Sequence, residues 1–138
     1  MNIETLKIIK RNLYNYNKTE ELIKEREDEL IWQSNGSNEA YLRGINQFNN
    51  SLENQIVKLC EDKKIRDIKR WKILNKKIFF FLCKKYPLYY EFLKLKYFKC
   101  YSEQEIQEAL KINFKRQKII NDKLLEFIYK NAKSENLV

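Results

Sequence analysis

Apolar residues recur along this chain at helical spacing, in stripes separated by polar breaks. Ile3, Leu6, Ile9 and Leu13 mark a first helix over residues 2–13, which Tyr14-Asn15-Tyr16-Asn17 interrupts. Asn17 followed by Glu20 is a capping-box signal, and the helix it opens reaches about Trp32. Leu22, Ile23, Leu30 and Ile31 can pack there, while Glu20, Glu21, Glu25, Glu27, Asp28 and Glu29 make one side acidic. Residues 33–39, QSNGSNE, are the clearest polar loop, and a short helix is expected over 40–48. Ser51 caps a long helical region, with Leu52, Ile56 and Leu59 as its first stripe. The mostly charged section 61–70 favours a kink, and Ile68, Trp71, Leu74, Ile78, Phe81 and Leu82 resume the stripe. Continuous to residue 85, this helix would be roughly 50 Å long. Pro87 suits the first turn of the next helix, and residues 88–98, dense in Tyr, Phe and Leu, form a scaffold helix. No strand pattern or internal repeat stands out. The pattern predicts an all-α fold with an N-terminal helical hairpin or arm, a long basic central helix and a C-terminal helix-turn-helix.

The last of these lies in residues 102–127, SEQEIQEALKINFKRQKIINDKLLEF. Ser102 and Glu105 make a second capping box, and Ile106, Ala109 and Leu110 share a face, with Ala109 small enough for a second helix to pack close. Lys111-Ile112-Asn113 is the turn: Ile112 points back into the core and Asn113 caps the next helix. That helix opens with Lys115, Arg116, Gln117 and Lys118. A recognition helix needs such a polar first turn, because its N-terminal side chains enter the major groove.

Composition sharpens the picture. At 138 residues the chain is one domain, or one domain with an arm: residues 1–50 as the arm and 51–133 as the body, with the helix-turn-helix at about 87–130. Two glycines and one proline favour long helices over turn-rich β folds. The net charge of +9 is uneven. Residues 1–53 hold 7 basic and 9 acidic groups, 54–85 hold 11 and 3, and 86–138 hold 10 and 7. Such an excess suits a polyanion, since each neutralised phosphate releases counterions; a lysine-rich solvated surface accounts for part of it, but not for its asymmetry. No stretch approaches the length of an apolar membrane span, and MNIETLKIIKRN lacks an apolar core of signal-peptide length, so a cytoplasmic protein is expected. The run 78–83 reads as buried helix. Cys60, Cys83 and Cys100 fit no disulfide or zinc spacing and read as small core residues. With no histidine and only Gly36 and Gly44, the common metal, nucleophile and phosphate-loop arrangements are excluded, and neither enzyme activity nor a cofactor is expected. Trp71 and the tyrosines at 86, 89, 90, 97 and 101 sit among lysines where they could stack bases, although their helical spacing favours the core.

The stretch YSEQEIQEALKINFKRQKIINDKLLEFI resembles region 4 of sigma-70-type factors, through Ser102, Glu105, Ile106, Leu110, Ile112, Asn113, Arg116, Ile120, Lys123 and Leu125. The layout of the whole chain is similar to phage late-gene transcriptional activators of the RinA and ArpU type: a helical hairpin, a polar loop, a long basic helix opening at Ser51-Leu52-Glu53, and a region-4-like helix-turn-helix. YPLYYEFLKLKYFKCYSEQEI also resembles the passage that leads into that motif. Two departures from the pattern involve three positions. Lys111 stands where many such turns use Gly, and Gln117 stands where an apolar core residue is usual while Ile119 replaces a polar one. Gln117 is therefore either a base reader or half-buried. The resemblance implies DNA contacts by Asn113, Phe114, Lys115, Arg116, Gln117, Lys118 and Asn121. Arg116 is the base-reading candidate, as Arg bonds guanine bidentately; Lys115 and Lys118 suit phosphates; Phe114 either meets a thymine methyl or caps the core.

The expected function is sequence-specific binding of double-stranded DNA by a regulator of late packaging or lysis genes in a bacterial host, acting with RNA polymerase. Specificity from one helix-turn-helix calls for a homo-oligomer or a second bound protein. The alternatives are a helical protein-interaction module without DNA reading, and a ring-forming nucleic-acid packaging protein.

Overall fold

The computed structural model describes the backbone of residues 1–35 and 62–138 and the side chains of 1–32 and 62–138. Over these residues the protein is all-α, with no strand and no helix long and apolar enough to cross a membrane. Helix α1 (Ile3–Tyr14) starts where the Asn2 side chain accepts a hydrogen bond from the Thr5 amide at 2.7 Å. A 3₁₀ turn (Tyr16–Lys18) leads to α2 (Thr19–Asn35). Helix α2 begins two residues past the expected cap at Asn17 and runs through residues 33–35, where the polar loop was expected to begin. The rest of that loop, the helix expected over 40–48, the Ser51 cap, Cys60 and the boundary near residue 50 lie outside the described residues.

Helix α3 spans Lys63–Lys85. Asp62 lies outside it: its carboxylate accepts from the Ile65 amide at 3.1 Å and its carbonyl from the Arg66 amide, the pattern of a helix N-cap. A single helix from 51 to 85 therefore does not form, because a cap and a helix interior need different backbone angles at one residue. Pro87 stands in the first turn of α4 (Pro87–Leu93), as expected. The expected scaffold helix then widens into a π turn (Lys94–Phe98) before α5 (Glu103–Leu110) and α6 (Phe114–Ser134). The wider turn puts Leu95 and Tyr97, two residues apart, both inside the core.

The chain forms two compact units, Lys18–Lys69 and a second one made of Met1–Asn17 with Arg70–Val138. In the first, Arg26 bonds Asp62 bidentately at 3.2 and 3.1 Å and also reaches Glu29 at 2.8 Å. The guanidinium holds the Asp62 carboxyl below the usual carboxylate range, helped by the Ile65 amide.

The second unit has one hydrophobic core. Ile9 and Leu13 of α1, both fully buried, meet Trp71, Leu74, Ile78, Phe79 and Leu82 of α3, Phe92 and Leu93 of α4, and the inner stripe of α6. Helix α1, expected in an N-terminal arm, thus closes the core of the C-terminal helices. An amphipathic stripe states only that a face must be covered, not by which partner. Tyr16 stacks on Phe98 at 5.5 Å and meets Phe79 edge-on at 4.7 Å, which fastens the end of α1 to this core. Two smaller expectations are corrected. Cys83 and Cys100 are exposed rather than internal. The run 78–83 divides, with Ile78, Phe79 and Leu82 inward and Phe80 and Phe81 outward, since six helical residues span more than one face. Trp71 and Tyr97 are buried and Tyr89 and Tyr90 half-buried, which leaves only Tyr86 and Tyr101 of that aromatic set exposed.

Candidate nucleic-acid interface

Local chemistry builds the helix-turn-helix. The Ser102 hydroxyl accepts from the Glu105 amide at 3.2 Å and the Glu105 carboxylate from the Ser102 amide at 3.3 Å, completing the capping box. Helix α5 ends at Leu110, and Lys111 turns the chain in the left-handed region at φ 56°, ψ 46°. This is a glycine-type C-cap made by a residue with a Cβ. Ile112 packs against the core, and Asn113 caps α6 by accepting the Arg116 amide at 2.8 Å. The turn has the expected three residues.

Helix α6 sets its rotation by Ile120, Leu124, Leu125, Ile128 and Ala132, all buried. Gln117 falls on the same stripe and is 4% exposed, with its Oε1 accepting from Nε2 of Gln107 on α5 at 2.8 Å. Its expected place among the DNA contacts is therefore corrected: Gln117 is a clasp between the two helices. Ala109, expected at their contact, is exposed, and Gln107 takes that role. Asn121 is half-buried, and its Oδ1 accepts from the Tyr97 hydroxyl at 2.9 Å. Burial raises the Tyr97 phenol above its ordinary value, so the donor keeps its proton.

The other five candidates gather at one end of α6. Asn113, Phe114, Lys115, Arg116 and Lys118 are exposed, and Phe114 is 57% exposed, so it does not cap the core. A cavity of about 200 Å³ beside them is lined by Lys96, Glu103, Phe114, Gln117, Lys118, Asn121 and Asp122. Lys96 lays its ammonium over the Phe92 and Tyr97 rings at 5.8 and 5.7 Å. Burial lowers its pKa, nearby Lys10 adds to the effect, and Glu103 and Asp122 oppose it. Those two carboxylates bound the positive surface on that side. Lys96 and the Gln107–Gln117 pair have no sequence signal, since each depends on which elements become neighbours. Among the described residues no group of three or more His, Cys, Asp or Glu side chains is placed to hold a metal ion.

Comparison with family models, curated proteins and solved structures finds no match to this chain.

Proposed function

We propose that this protein is a sequence-specific DNA-binding regulator of transcription, of the phage late-gene activator kind, which works as a homo-oligomer alongside RNA polymerase. The observation that carries this reading is the first turn of α6. Phe114, Lys115, Arg116 and Lys118 project from a helix whose opposite face is fixed in the core, and a left-handed residue ends the helix before it. That geometry suits entry into a major groove, with Arg116 on a base edge and Lys115 and Lys118 on phosphates. The net charge of +9 supports the same partner.

Selection from a pool of random duplexes tests it. Wild type should enrich a defined site, and Arg116→Ala should bind that site about 1–3 kcal/mol more weakly and lose preference at one position. Lys115→Ala should weaken binding to every sequence alike and reduce the salt slope by about one phosphate. Salt-labile binding without enrichment, indifferent to Arg116→Ala, would leave only a basic surface and overturn the proposal.

A further inference from the structure

The C-terminal half of α3 and the middle of α6 leave between them an open groove of about 370 Å³, lined by Phe81, Tyr86, Tyr89, Leu124, Phe127 and Lys123. The Phe81 ring stacks on Phe127 at 5.6 Å and tilts towards Tyr86 at 6.0 Å, forming a continuous aromatic wall. Phe80 beside it is 63% exposed, with the Lys84 ammonium 4.3 Å from its ring centre. Phe80, Phe81 and Tyr86 are all exposed along this edge, so the groove opens beside an apolar surface.

Charge decides what kind of partner fits. Lys123 lines the groove, and Lys84 and Lys85 close the end of α3 next to it. The nearby Glu126 carboxylate is engaged by Lys130 at 3.6 Å. Two copies of this face brought together would oppose like charges in an apolar setting, which costs binding rather than adding to it. The occupant is therefore acidic, helical or extended, and carries an apolar anchor. The chain itself contains such an element. Helix α2 holds six acidic and two basic residues, and its Trp32 is 79% exposed. A large exposed aromatic side chain can anchor a helix in an apolar groove, and the acidic residues around it complement the bordering lysines.

We propose that α2 of a second copy docks in this groove, with Trp32 lying against the exposed side of the Phe81 and Phe127 rings and its carboxylates meeting Lys123, Lys84 and Lys85. Two such exchanged contacts related by a two-fold axis close a dimer. The surface is distinct from the first turn of α6, and the inference holds whether or not that turn reads DNA.

Sedimentation of the full chain without DNA tests it. Wild type should form a dimer with rising concentration at low salt, and the dimer should weaken as salt rises. Trp32→Ala and Lys123→Glu alter exposed side chains and should keep wild-type circular dichroism, yet each should weaken association roughly tenfold or more. A wild type that stays monomeric at low salt overturns the proposal. So does a Trp32→Ala chain that dimerises normally, or a Lys123→Glu chain that associates as well as wild type or more tightly.

Discussion

Gln117 sits in the first turn of α6 yet on its buried stripe, 4% exposed. A glutamine among lysines at the start of a helix looks like a reader of bases, but the phase of α6 is fixed by Ile120, Leu124 and Ile128 further along, and that phase turns residue 117 inward. Gln107 then satisfies its carbonyl. Gln117→Ala should lower stability by about 1–3 kcal/mol in urea unfolding and leave the preferred DNA site unchanged, because a buried pair is broken and no base contact is lost. Capping residues were legible in advance, since Ser102 and Asn113 act on amides three residues away and need no tertiary partner. Lys111 was legible as an anomaly, and its positive φ explains why. A non-glycine residue pays roughly 1–2 kcal/mol there, so Lys111→Gly should raise the unfolding midpoint, by up to about 1 kcal/mol after the entropy of glycine is counted. Asn75 is a third such case. It is buried among the apolar residues of α3, and its Oδ1 has no partner among the described residues. Asn75→Leu should therefore stabilise the fold by about 1–3 kcal/mol, read from the same urea curves.

At the scale of elements, starts were easier to foresee than extents. Helix α4 begins at Pro87 and α5 after Ser102, where local chemistry dictates a boundary. The π turn of Lys94–Phe98 was not legible, because its reason is the simultaneous burial of Leu95 and Tyr97 against helices distant in sequence. Nor was the start of α3: Asp62 looks like one more charge in a charged run, and only Arg26, 36 residues earlier, makes it a fixed cap. This pair has a pH signature. The folded Asp62 carboxyl titrates below its unfolded value of about 3.9, so its stabilisation is complete above that pH and is lost as pH falls through the lower, folded value. Helix content followed by circular dichroism should show an acid step below about pH 4 that shrinks in Asp62→Asn. A step of equal size in that variant would assign it to other carboxylates.

For the whole molecule, the all-α class followed from composition and periodicity, whereas the partnership of α1 did not. Ile9 and Leu13 would give the same stripe if α1 packed on α2, and only the structure places them in the core of the C-terminal helices. Ile9→Ala should cost about 2–5 kcal/mol and, in one cooperative transition, lower the unfolding temperature of the helix-turn-helix with the rest of its unit. This unit is assembled from the two ends of the chain, and that has a consequence for how the protein is made. Synthesis delivers α1 first, but the stripe of α6 that it covers is complete only near residue 132. Until then α1 carries an uncovered apolar face, and the body cannot close around a finished core. The other unit, Lys18–Lys69, is inserted in the sequence between the two parts of this core. Because the entropy of bringing the two parts together grows only with the logarithm of the chain between them, their separation in sequence adds little cost, whereas losing Ile9 and Leu13 would leave the inner stripe of α6 uncovered.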